Sequence, residues 1–247
     1  MENADLRRAW RALAGTGERA GAVGAELLGR WSGPDRHYHG PDHLRAVLAG
    51  VDALAGEAAD ADLVRFAAWF HDAVYDGVPG RDEERSAALA ERLVPECGRS
   101  AEFAAEVGRL VRVTAGHRPA PGDTDAEVLC DADLAVLGRD PEGYREYAAA
   151  VRREYAHVGE ADFRAGRAAV LRGLLAADPL FRTAAGRARW EAAARRNMAG
   201  ELAALGGEPP RLRRRRPEAT SRATSSLLLT GVAPSRTARS YSVSGTS

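Results

Sequence analysis

Three observations on this 247-residue chain predict an all-α fold. Strong helix formers dominate: alanine contributes 51 residues, and arginine supplies all 35 basic side chains. Apolar residues recur at helical spacing, and alternating runs of β-branched residues are absent. Recognisable start and stop residues punctuate the periodic stretches. Together they predict a helical bundle over residues 1–205, followed by a disordered tail over residues 206–247.

The predicted helices run over 3–14, 18–31, 41–55, 60–75, 82–94, 100–116, 125–137, 141–156, 160–177 and 183–205. Pro41 suits a first helical position, where its missing N–H costs no hydrogen bond. Pro141 repeats the pattern behind Asp140, a good capping residue. Asp82, with Glu83 and Glu84 behind it, puts negative charge at the positive end of its helix. Gly56, Gly98 and Gly138 serve as stops. The tail opens with GGEPPRLRRRRP and continues in Ser, Thr, Ala and Arg, with few groups able to build a core.

Composition excludes several mechanisms. Without lysine there is no Schiff base and no P-loop phosphate site. Cys97 and Cys130 lie far apart, which supports neither a zinc ribbon nor a disulfide framework. The segment MENADLRRAW lacks the apolar stretch of a secretory signal. No apolar run approaches the roughly 18 residues of a membrane span. The expectation is a soluble, cytoplasmic protein with no membrane partner. The net charge of zero is a cancellation: residues 1–205 hold 27 arginines against 33 acidic residues, and residues 206–247 hold 8 against 2. The Arg213–Arg216 run is read as a solvated basic tail in preference to a nucleic-acid contact.

Histidine is scarce, with six in the chain, and three of them, His37, His39 and His43, fall within RHYHGPDHL. His71 and Asp72 interrupt an apolar stretch, AAWFHDAVYD, on a predicted buried helix. Burying an imidazole beside a carboxylate is costly unless both find partners, and a metal ion would satisfy both. A hydrogen-bonded core pair would do so too, and for the doublet alone it is the preferred reading. Asp131 and Asp133 lie in another apolar run, VLCDADLAVLG; at i and i+2 they point to different faces, so only one can share a site. A mixed nitrogen and oxygen ligand set of this kind suits Mn, Fe, Co, Ni, Zn or Mg.

The order H…HD…D, with HLRAV at the first histidine, resembles the HD superfamily of metal-dependent phosphohydrolases. RHYHGPDHL, WFHDAVYD, DEERSA, LCDADLAVLG, VRREYAHV and EAAARRNMAGEL together resemble its bacterial predicted-phosphohydrolase branch, from Trp31 to Leu205. The resemblance implies an HD-domain helical bundle and one divalent metal ion held by His43, His71, Asp72 and Asp131. His43 is preferred to His39 as first ligand because it begins a helix and carries the family's Leu-Arg-Ala-Val; His39 would line the pocket or support a ligand. His37 is read as rim or surface, and His157 as a helix-face residue.

The activity this resemblance implies is metal-dependent hydrolysis of a nucleotide or other small phosphate ester. Asp72, Glu83 and His117 are the candidate catalytic residues. Glu83 follows the doublet as a glutamate does in related HD nucleotidases, although a first-turn acid is also explained by the macrodipole, worth about 0.3–1 kcal/mol. His117 could be a second-metal ligand, a proton donor, or a histidine at a helix C-terminus. Arg36, His39, Arg118 and Arg152 are candidates for substrate binding, the arginines because their forked donors match phosphate. Two other readings are a non-catalytic nucleotide-binding module and an HD-type di-iron oxygenase. The second calls for two further histidines between the doublet and the last aspartate, where this chain has only His117. Truncation after Leu205 is expected to leave phosphate-releasing activity intact; collapse of the fold would show that the tail is not a disordered appendage.

Overall fold

The protein is described from a computed structural model covering residues 3–78 and 80–206, so the tail predicted for 206–247 lies, after Gly206, outside the described residues. The elements are α1 (Ala4–Ala14), α2 (Glu18–Trp31), α3 (Pro41–Leu54), α4 (Ala61–Phe70), α5 (Arg81–Leu93), α6 (Ala101–Thr114), α7 (Thr124–Leu134), α8 (Pro141–Glu154) and α9 (Glu160–Ala176). A short helix α10 (Ala184–Gly186), a π-helical turn (Arg187–Glu191) and α11 (Ala192–Ala204) complete the chain. No strand occurs among the described residues. The all-α expectation holds.

Local chemistry sets the boundaries. Pro41 occupies the first turn of α3. The Asp60, Ser100, Asp123 and Asp140 side chains accept N–H groups that α4, α6, α7 and α8 would otherwise leave unpaired. The clearest departure from expectation is α4, which stops at Phe70 and not near residue 75. Two side chains from elsewhere take the backbone groups just beyond it. Arg36 donates to the carbonyls of Asp72 and Ala73, at 2.7 and 3.3 Å, and Ser86 Oγ bonds both the N–H and the C=O of Val74. The HD doublet therefore sits at the helix end and its following turn.

Two apolar cores meet along the chain. The first gathers α1–α7 around Trp10, Trp31, Phe66, Trp69 and Phe70, and the second gathers α8–α11 around Leu137, Tyr147, Leu171, Phe181 and Met198. Trp10 stands edge-on to Phe66 and Trp69, with ring centroids 5.6 and 5.1 Å away. Helix α7 belongs to both cores, through Ala126–Ala132 on one side and Leu134 on the other. It is buried on every side from Val128 to Leu134.

Helices α3 and α7 approach closely at Gly50. A Cβ there would stand 3.0 Å from both Cα and Cβ of Ala132. That approach brings the helix carrying His43 against the helix carrying the two aspartates. Gly50→Leu forces the pair apart and is expected to lower stability by about 1–3 kcal/mol, read as a reduced urea midpoint with unchanged m-value.

Candidate metal centre

His43, in the first turn of α3, His71, at the end of α4, and Asp133, near the end of α7, converge in the interior. Their side chains are 1–3 % exposed. The Nε2 atoms of the two histidines lie 3.2 Å apart. Asp133 Oδ1 lies 3.1 Å from the first and 3.5 Å from the second. This buried group could hold a metal ion. Asp72 Oδ2 stands at its edge, 3.3 Å from His71 Nε2 and 3.7 Å from His43 Nε2, with the side chain 18 % exposed.

The polar atoms fit a cation. His71 Nδ1 is 2.9 Å from the carbonyl oxygen of Ala68, which only accepts, so Nδ1 carries hydrogen and Nε2 is left for the centre. Asp133 Oδ1 is buried and, apart from its approach to the two histidines, has no hydrogen-bond partner among the described residues. Burial works to raise the Asp133 carboxyl, but His71, His117 and His43 hold it well below the usual carboxylate range. His71 is in turn raised well above an ordinary imidazole: burial opposes its charge, and Asp72 and Asp133 outweigh burial. Burial lowers His43, against the pull of Asp133. The centre thus carries carboxylate charge that only protonated imidazole, or a cation, can neutralise.

Asp131, the ligand implied by the sequence resemblance, faces elsewhere. Its Oδ1 accepts the N–H of Arg182 at 2.7 Å, and its Oδ2 accepts the N–H and hydroxyl of Thr183 at 2.8 and 2.7 Å. It fastens α10, where a Cβ on Gly186 would stand 2.5 Å from Asp131 Oδ2. Asp133, and not Asp131, stands with the two histidines, because residues two apart on a helix project to different sides.

The other candidates divide between site and scaffold. His39 lines the site, its Nε2 4.0 Å from Asp72 Oδ2 and its ring stacked on Tyr75 at 4.1 Å. Glu83 spends one carboxylate oxygen on the N–H of Gly80, at 2.5 Å, closing the start of α5. Burial, with the charge of Asp72 adding to it, raises its carboxyl above the ordinary value. His117 Nε2 lies 2.7 Å from Asp133 Oδ2. Arg36, a candidate for substrate binding, is used within the scaffold as a clamp. It donates to the carbonyls of His39, Asp72 and Ala73 and sits 5.5 Å from the ring centroids of both Trp31 and Tyr75. Arg152 is likewise used within the scaffold, on Glu160 and the carbonyls of Tyr155 and Val158. Arg118 is exposed beside His117. His37 is exposed as expected, and His157 lies in the turn after α8 and not on a helix face.

Glu154 is the residue that sequence reasoning missed. Its Oε2 accepts the consecutive N–H groups of His37, Tyr38 and His39, at 2.9, 2.9 and 3.1 Å. Its Oε1 lies 2.5 Å from His39 Nδ1. An acid in the last turn of α8, directly after two arginines and against the macrodipole, was a signal that a specific partner awaited it. Tyr38, held in this loop, packs on His43 and on Tyr147 of α8, with centroids 4.7 and 4.8 Å away.

The Glu154–His39 pair links stability to pH. Burial would raise Glu154, but His39 and the N–H groups of Tyr38 and His39 bring it down from 4.5 to about 2. Its contribution is complete above pH 4.5 and is lost as pH falls through about 2. His39 is raised from 6.5 by Glu154 in spite of burial, so its contribution is complete below pH 6.5 and is lost as pH climbs through the raised value. Denaturant melts of Glu154→Gln are expected to lose stability less steeply than the parent between pH 4.5 and 2. Equal slopes would show that Glu154 titrates alike folded and unfolded. No protein-family model, curated protein or solved structure matches the chain, and the reading of this centre rests on its own geometry and the sequence motifs.

Proposed function

We propose that the protein is a metal-dependent phosphohydrolase of the HD type, cleaving a phosphate ester of a nucleotide or another small molecule. The observation that carries this reading is the convergence of His43, His71 and Asp133, with Asp72 at its edge, in the chain order H…HD…D. His43 and His71 would hold the ion through Nε2 and Asp133 through Oδ1, and Asp72 is the more exposed fourth candidate. A divalent cation, when bound, supplies Lewis-acid polarisation of a phosphoryl oxygen and a lowered pKa for water.

The chain's own residues supply the rest. His39 is kept protonated by Glu154 at Nδ1, so Nε2–H is directed to the edge of the site, where it can give its proton to a departing alkoxide. Glu83, raised by burial and by Asp72, holds a proton at higher pH than an exposed glutamate. Trp31 and Tyr38 wall the histidines, with centroids 5.4 Å from His71 and 4.7 Å from His43, and exclude water from behind the centre. Arg36 keeps the His39 loop and the His71–Asp72 turn in one frame.

Elemental analysis of the purified chain should find about one divalent ion per molecule, and phosphate should be released from a panel of nucleotides and sugar phosphates. Asp133→Ala is expected to abolish both. Asp131→Ala is expected to retain the ion yet lose about 1–3 kcal/mol of stability, because it strands two N–H groups of the α9–α10 connection. Full occupancy in Asp133→Ala, or no phosphate release with any of the candidate metals, would overturn this reading.

A further inference from the structure

His117 is placed in an unusual way for a residue that only ends a helix. It follows α6 with φ at +47°, a region that favours glycine or asparagine, and its side chain is 5 % exposed. Its Nε2 meets Asp133 Oδ2 at 2.7 Å, while its Nδ1 is buried without a partner. Among the described residues, Asp133 is therefore the one hydrogen-bond partner of the ring. An ionised carboxylate only accepts, so the hydrogen of this bond sits on His117 Nε2. With Oδ2 taken, the other oxygen is the one presented to His43 and His71, at 3.1 and 3.5 Å, and it has no other hydrogen-bond partner.

We infer that His117 is a positioning residue: it donates to Asp133 Oδ2, fixes the carboxylate with Oδ1 turned to the two histidines, and thereby sets the affinity of the centre for a divalent cation. The inference rests on the proposed metal centre and adds the group that orients its carboxylate ligand. His117 touches neither ion nor substrate in this assignment, which removes it from the catalytic set expected from the sequence.

The test is Co2+ titration of the full-length, chelator-treated chain, followed through the visible absorption of bound Co2+. His117→Ala should weaken binding by about 10–100-fold, the usual effect of losing an outer partner of a ligand. His117→Gln offers an amide N–H at nearly the reach of Nε2 and should recover most of the affinity and the parent spectrum. His117→Asn suits the left-handed backbone better, but its amide stops short of Asp133, so its affinity should stay low. A residue that merely closed α6 would give the reverse order, with Asn at least equal to Gln, and that order overturns the inference. So does parent-like affinity in both the Ala and Gln variants. Two Co2+ ions in the parent, falling to one in His117→Ala, would make His117 a ligand and overturn it equally. A parent chain that takes up no Co2+ overturns the metal reading and this inference with it, whereas an indifferent His117→Ala overturns the inference alone.

Discussion

Everything in this molecule is arranged around a cluster of like-natured atoms withheld from water. Two imidazole Nε2 atoms and a carboxylate oxygen meet within 3.1–3.5 Å, in side chains that are almost fully buried. Burying such groups costs several kcal/mol unless each charge finds a partner, and here His71 and His117 face the Asp133 carboxylate. The fold meets that cost with large apolar surface on both sides. Trp31 backs His71, and Trp31 Nε1 donates to the carbonyl of Trp69 at 3.0 Å, tying α2 to the end of α4 just before the doublet. Closely packed aromatic residues fix helix ends more firmly than loops would, and helix ends are where the three convergent residues stand.

The second core contributes through a polar linkage. Arg167 of α9 is 3 % exposed and forms a two-pronged pair with Glu201 of α11, at 2.8 and 2.9 Å. Tyr144 donates to the same carboxylate, and Arg167 also reaches the hydroxyl of Tyr147. The guanidinium and carboxylate thus find most of their hydrogen bonds inside the protein, the condition under which a buried pair is tolerated. Because Tyr147 packs on Tyr38, and Tyr38 on His43, this network reaches the centre through side-chain contact.

Much of the fold was legible in the sequence because caps and breakers act locally. Pro41, Asp140 and Ser100 do their work within one turn, and the predicted limits of their helices differ little from those observed. The end of α4 was not legible, since the groups that stop it, Arg36 and Ser86, come from distant parts of the chain. His71 was identifiable as a polar residue in apolar surroundings, and His43 through the Leu-Arg-Ala-Val that carries the family resemblance. The choice between Asp131 and Asp133 was not. On an amphipathic helix the apolar stripe gives the phase, but α7 is buried all round from Val128 to Leu134, so no stripe distinguishes the two. Glu154 was hidden for another reason: its partners lie 115–117 positions away.

The two aspartates of α7 have a mechanical consequence. Asp131 is fastened to the segment ahead of α10 by three hydrogen bonds, two from backbone N–H groups and one from the Thr183 hydroxyl, and Asp133 is turned towards the histidines of α3 and α4. A helix rotates as one body, at about 100° per residue of register. Any roll of α7 that withdrew Asp133 from the histidines would also pull Asp131 off Arg182 and Thr183. The C-terminal helices therefore act as a rotational stop on α7, and the angle at which Asp133 meets its neighbours is set from both sides of the helix that carries it.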